Sequence, residues 1–313
     1  MHASETASAT SRLVRTHCPI CGQAGSDREV YPANFDPAAL DSAVFSARRT
    51  PDRLHYRMVR CVRCGLLRSD PILPLEELSR LYRASHFTYA REATFTGRTY
   101  ASYLRRVLSD RPAPRSLMEV GCGSGFFLSE AVRMGIPEVS GVEPSQEAID
   151  HASPELRPRI RCALYDEDTF EPECFDVICA FQVFDHVPDP AGMLRACFRH
   201  LRPGGLALFI NHDSGALTNR LLGERSPIID VEHTALYDRS TMRRILEVTG
   251  FTVPEVFAVK NTYPLGYWTR LAPLPSVVKG PILKLLERSR IGEVPVPMYA
   301  GNLGAIATKE RPQ

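Results

Sequence analysis

The nonapeptide Leu117-Met-Glu-Val-Gly-Cys-Gly-Ser-Gly125 constrains this chain more than any other stretch. A short apolar strand with an acid at Glu119 runs into three alternating glycines. Such a sequence turns sharply after the strand and lets bare backbone approach a ligand that any Cβ would exclude. A dinucleotide loop wants its third glycine where the following helix packs on the strand. Here that position is Phe126, and the third glycine comes one residue early. The loop predicts a nucleotide-type ligand at the end of a buried strand, with NAD disfavoured.

Strand and helix patterns alternate from there, as a doubly wound sheet requires. A helix is predicted over 126–134. Val139-Ser-Gly-Val-Glu143-Pro reads as a second strand ending in an acid, 18 residues past Gly125. A carboxylate at that place can accept both hydroxyls of a ribose. Ile160 to Leu164, running into Tyr165-Asp166, reads as a third strand, and Phe175 to Ala180 as a fourth. Phe181-Gln-Val-Phe-Asp-His-Val-Pro-Asp-Pro190 follows the fourth, and Leu201-Arg-Pro-Gly-Gly turns into a fifth ending at Ile210. The carboxyl ends of these strands are expected to face one crevice.

Two Cys-x-x-Cys-Gly turns, Cys18-Pro-Ile-Cys21-Gly and Cys61-Val-Arg-Cys64-Gly, form the second strong signal. Two residues between thiols let one tight turn aim both sulfurs at a single ion, and the trailing glycine relieves the backbone there. Four sulfurs close a tetrahedral site with no open position, so Cys18, Cys21, Cys61 and Cys64 are predicted to hold a structural Zn2+. The other cysteines lie in or near apolar strands and read as small core residues.

In this order, the landmarks from Glu119 to Ile210 resemble those of the class I S-adenosylmethionine (SAM) methyltransferases. The resemblance implies an α/β fold with a Rossmann-like sheet, carrying the small cysteine module ahead of it. It implies that Glu119, Gly121, Cys122, Gly123 and Gly125 surround the methionine part of SAM, and that Glu143 holds its ribose. Asp166 would lie near the adenine amino group, with Asp168 as the competing acid, and the backbone at Phe181 near the SAM ammonium. Methyl transfer from a sulfonium is an in-line displacement that mainly needs positioning, so a base is required only when the acceptor must lose a proton. His186, His212 and His233 are the candidates at the crevice mouth. The pair Glu232-His233 is similar to one in small-molecule methyltransferases.

More narrowly, the chain to about residue 250 resembles the sugar C-methyltransferases of deoxysugar pathways, which join similarly spaced cysteine pairs to this core. There a Tyr-x-Glu-His motif helps remove a proton beside a ketone. That resemblance implies His233, Glu232, His186 and Tyr89 as catalytic residues. Asp230 stands where the family has its tyrosine, and 313 residues are too few to hold the second Rossmann-like domain that the resemblance implies. The expected activity is methyl transfer to carbon or oxygen of a small-molecule acceptor, a nucleotide-linked sugar or another natural-product intermediate. An rRNA methyltransferase with a zinc ribbon and a noncatalytic SAM-binding partner are the alternatives.

Composition bounds these readings. The 38 basic and 36 acidic side chains leave a net charge of +2, without the basic footprint of a nucleic-acid binder. No apolar run reaches the roughly 20 residues of a membrane span, and the cysteine usage suits a reducing, cytoplasmic setting. Residues 1–16 lack the apolar core of a secretory signal and read as a disordered tail. The expected organisation is a zinc module at 17–72, a helical linker or cap at 73–112, and the SAM-binding domain at 113–313. A Pro-rich excursion at 263–297 brings Tyr263, Tyr267 and Trp268 towards an acceptor, before a closing strand at 303–307.

Overall fold

The computed structural model describes residues 13–25, 27–35, 53–83, 90–272 and 275–311. Strands β1 (Arg28–Tyr31), β2 (Met58–Arg60) and β3 (Leu67–Ser69) form an antiparallel set, followed by helices α1 (Leu75–Arg83) and α2 (Ala90–Leu108). Helix α1 opens on Glu76 and Glu77 and closes on Arg80 and Arg83, charges that suit the two ends of its dipole. The expected tail does not extend to residue 16: Val14 pairs with Ile72, and Thr16 donates from its backbone N–H to Asp70 Oδ1 at 2.7 Å.

The alternation then unfolds as β4 (Ser116–Val120), α3 (Phe126–Arg133), β5 (Glu138–Glu143), α4 (Gln146–Asp150), β6 (Ile160–Cys162), β7 (Phe175–Phe181), α5 (Pro190–His200) and β8 (Leu201–His212). After α6 (Leu217–Leu222) and β9 (Ala235–Leu236) come α7 (Arg239–Val248), β10 (Thr252–Pro264), α8 (Leu265–Leu271), α9 (Ser276–Ser289) and β11 (Pro295–Thr308). The main sheet runs β10-β11-β8-β7-β4-β5-β6. Strands β6, β5, β4, β7 and β8 are parallel, whereas β11 is antiparallel to both β8 and β10. All five residues of β4 are buried, as a central strand covered on both faces must be. The strand order reverses beside β4, so the crevice opens at the carboxyl ends of β4 and β7, where the glycine loop lies.

The 263–297 excursion is helical: Pro264 and Pro275 stand as the caps from which α8 and α9 start. Proline's fixed φ suits the approach to a helix, whereas Pro281 lies inside α9 and removes one of its hydrogen bonds. The cysteine module is not a separate bead. Strand β9 completes its sheet in the order β1-β2-β3-β9, crossing the boundary expected between module and domain. Cys18, Cys61 and Leu66 pack in one buried cluster with Phe184, Ala235 and Tyr237.

Candidate active site

A cavity of about 2010 Å³ runs along the carboxyl ends of the strands. A ligand pocket typically spans about 300–1,000 Å³, so this one has room for two molecules. At one end lies the glycine loop. Gly121 has φ +66°, and a Cβ there would lie 2.6 Å from Val183 Cγ2. The N–H groups of Gly123 and Ser145 each donate to Glu143 at 2.9 Å, one to each carboxylate oxygen, and aim that side chain at the cavity wall. Burial pushes the Glu143 carboxyl up, and these two N–H groups pull it back. Burial first, then the Glu143 charge, holds the Glu119 carboxyl well above the carboxylate range. Glu119 Oε2 is buried without a hydrogen-bond partner.

Phe181 stacks on Tyr100 at 4.2 Å between ring centres and meets Phe127 edge-on at 4.8 Å, which rigidifies the cavity floor. Of the two candidate acids in the 165–169 loop, Asp166 lines the cavity, its Oδ1 accepting from Thr169 Oγ1 and from the Asp168 N–H. Cys122, Gly123 and Gly125 stand behind the lining. The Cys122 thiol packs towards Gly141, and Gly125 caps α3 in the left-handed region.

Three histidines gather on the same cavity, from three different segments. The rings of His186 and His212 lie 4.6 and 4.8 Å from that of His233. His186 follows β7, His212 ends β8, and His233 precedes β9. The Asp185 carbonyl accepts from the Thr234 N–H at 2.8 Å and from Thr234 Oγ1 at 3.1 Å, which draws the last segment against the first. Burial lowers the His186 ring to about 4. His233 lies well below the ordinary imidazole range, through burial and then through the neighbouring histidines. Both are neutral near pH 7 and suited to accept a proton or an ion.

Asp185, absent from the sequence-based set, is fully buried here; its motif neighbour His186 was the signal that could have led to it. Glu232 and Asp230 line the same cavity, and the Glu232 carbonyl accepts from Tyr82. Tyr263, Tyr267 and Trp268 form a mutually packed aromatic wall, with Tyr263 and Tyr267 4.5 Å apart. The Tyr263 hydroxyl is 2.9 Å from Thr96 Oγ1, which ties that wall to α2. Tyr89 lies outside the described residues.

Within the module the four cysteine sulfurs lie within 4.8 Å of one another, with Cys18–Cys64 at 3.3 Å and Cys21–Cys61 at 3.5 Å. Sulfurs bonded tetrahedrally to an ion at about 2.3 Å would be separated by about 3.8 Å. Both trailing glycines, Gly22 and Gly65, have positive φ, at +70° and +84°. Each N–H donates back to the carbonyl of the first cysteine of its pair.

A family profile described as a methyltransferase domain matches residues 89–256, more than half of the chain. The chain belongs to this methyltransferase family. A ubiquinone biosynthesis O-methyltransferase from Pseudomonas fluorescens SBW25 is 34% identical over 122 residues, covering 36% of this chain and 51% of that protein. Its counterpart from Pseudomonas fluorescens Pf-5 is 31% identical over 179 residues, covering 51% and 74%. A SAM-dependent methyltransferase structure from Archaeoglobus fulgidus, 20% identical, overlies 70% of this methyltransferase chain and 97% of its own with a TM-score of 0.47. The chain thus spans about half the length of the first relative and about three quarters of the second. The family profile carries the methyltransferase domain, while the deoxysugar likeness rests on the residues that suggested it.

Proposed function

We propose that this methyltransferase domain transfers a methyl group from SAM to a small-molecule acceptor, with oxygen of an acidic hydroxyl as the first choice. The observation that carries the reading is the gathering of neutral His186 and His233 with Asp185 beside a cavity large enough for two molecules. When bound, SAM supplies an electrophilic methyl on a positively charged sulfur. Gly121 gives it backbone approach, Glu143 offers both oxygens to ribose hydroxyls, and Asp166 faces the adenine. Glu119, with a buried oxygen lacking a partner, suits the ligand's ammonium. One of the two neutral rings, His186 or His233, takes the acceptor's proton, with Glu232 beside them on the same cavity. The aromatic wall of Tyr263, Tyr267 and Trp268 holds a flat or apolar acceptor body. The four cysteines hold Zn2+ as a structural ion, since all four positions are filled by sulfur.

The names of the relatives favour oxygen. A second reading, carbon beside the ketone of a nucleotide-linked deoxysugar or a related natural-product intermediate, is favoured by the cysteine pairs combined with Glu232-His233. Incubation with methyl-labelled SAM and a panel of phenols, catechols and 4-keto deoxysugars, with the label located by NMR, separates them. Label on oxygen of a phenol is the expected outcome. Label on sugar carbon would replace it with the second reading, and binding of SAM without transfer to any acceptor would overturn both.

A further inference from the structure

We infer that Asp185, His212 and His233 form a second metal site, distinct from the cysteine cluster, that takes a divalent transition ion and leaves coordination positions open to the acceptor. One ligand atom from each lies within 4.8 Å of the others. An ion bonded to them at about 2.0–2.2 Å would draw the three atoms to about 3.0–3.5 Å, a change within the reach of side-chain torsions. Two imidazoles and one carboxylate select Zn2+, Fe2+, Mn2+ or Co2+ over Mg2+ and Ca2+, which prefer all-oxygen shells.

Unmet bonding capacity is the independent observation. Asp185 is fully buried and His233 is 5% exposed. Asp185 Oδ1 and both ring nitrogens of His233 have no hydrogen-bond partner; the Ile228 carbonyl acts on the ring only from outside hydrogen-bonding geometry. His186 Nε2 lies 3.7 Å from Asp185 Oδ1, beyond hydrogen-bond reach, and Asp185 Oδ2 accepts from the His212 N–H only at 3.4 Å. Asn211 Oδ1 and the Tyr237 hydroxyl nearby are also buried without partners, and the Asn211 amide reaches Asp185 only outside hydrogen-bonding geometry. A buried carboxylate oxygen beside ring nitrogens that lack partners is costly unless a cation joins them. His212 is already oriented as a ligand would be: its Nδ1 donates to Asn302 Oδ1 at 3.0 Å, which puts the lone pair on Nε2. His212 and His233 line the cavity while Asp185 stands behind them, so an ion here has protein on one side and acceptor space on the other.

Its role rests on the proposed function. The acceptor hydroxyl binds the ion through oxygen, loses its proton to His186, and the oxygen forms its bond to the methyl carbon. The carbon–sulfur bond breaks with its electron pair left on sulfur, giving a neutral thioether, and the proton passes from His186 to solvent. His233 then acts as a ligand, which leaves His186 as the base.

Cobalt titration of the whole protein, with zinc already in the cysteine cluster, tests the site without reference to turnover. One equivalent of Co2+ with ligand-field bands and no thiolate charge transfer is expected, so total metal reaches two ions per chain. Asp185→Asn and His212→Gln should each return the total to one, with S-adenosylhomocysteine affinity retained as the check on folding. His212 sits at the end of β8 and is partly exposed, so its variant carries the test if Asp185→Asn fails to fold. No cobalt bands in the wild type, or bands unchanged in His212→Gln, would overturn the site. Cobalt binding without methylation of any hydroxyl leaves the ion in place and removes the acceptor assignment. Methylation that proceeds in a protein unable to bind cobalt does the reverse.

Discussion

Gly121 shows how a single missing methyl group shapes the cofactor end. Its φ of +66° costs any L-residue roughly 1–2 kcal/mol. A Cβ would also lie 2.6 Å from Val183, a short side chain on the loop that leads to Asp185 and His186. Gly121→Ala is therefore expected to weaken S-adenosylhomocysteine binding by at least tenfold, about 1.4 kcal/mol, while the domain stays folded. Calorimetric titration beside a urea unfolding curve measures both, and unchanged affinity would mean that this loop does not meet the ligand. Glu143 is the complementary case. Two backbone N–H groups already occupy one lone pair on each of its oxygens, so the side chain is held in place before any ribose arrives.

At the scale of elements, β9 decides how the cysteine module bears on the crevice. It is two residues long, pairing Leu236 with Leu67 and Ala235 with Arg68. The Ser69 N–H donates to the Thr234 carbonyl and its Oγ to the His233 carbonyl, each at 2.9 Å. On its other side the Asp185 carbonyl accepts from Thr234, so the segment carrying His233 is clamped between module and crevice. Only Gly65 and Leu66 separate Cys64 from β3. Loss of the ion from the cysteine cluster should loosen β3, and with it His233. Cys61→Ser, which opens the cysteine cluster and leaves Asp185, His212 and His233 in place, is expected to lower kcat/KM for the acceptor by about tenfold or more, equal to 1.4 kcal/mol, with S-adenosylhomocysteine affinity nearly intact. An equal fall in both would show that the module supports the whole domain rather than this segment. Ser69→Ala, which deletes one of the clamp's bonds, should cost about 1 kcal/mol in urea unfolding.

For the molecule as a whole, legibility in the sequence follows the range of the forces involved. The parallel core was readable because β4, β5 and β7 are apolar runs between glycine and proline breaks, each closed by a chemically distinctive residue. Strand β10 was missed because it carries Glu255, Lys260, Asn261 and Thr262 on an edge of the sheet, where alternating exposure dilutes the apolar signal. His212 and His233 were placed together at the crevice mouth from the strand order, but Asp185 was not, since only tertiary bonds join it to them: Thr234 to its carbonyl and the His212 N–H to its carboxylate. His200 is a further buried group with no sequence signal, and it makes the stability of the whole chain depend on pH. It is fully buried at the end of α5, with the Tyr165 hydroxyl 2.7 Å from Nδ1 and the Glu167 carbonyl accepting from Nε2 at 3.1 Å. Burial, opposed by the Glu167 and Phe170 carbonyls, lowers its proton affinity below that of a free imidazole. The folded form therefore keeps the ring neutral where the unfolded chain binds a proton. Its contribution to stability is complete above about pH 6.5 and is lost as pH falls from there towards the lower folded value, by up to about 1.4 kcal/mol per pH unit. Urea unfolding at several pH values between 5 and 8 should show this fall, and His200→Gln should flatten it while lowering stability at pH 7.5 by about 1–3 kcal/mol. Because Tyr165 and Glu167 flank Asp166, wild-type affinity for S-adenosylhomocysteine should decline in the same acidic window. A variant whose stability drops as steeply as that of the wild type would assign the acid sensitivity to His186 and His233 instead.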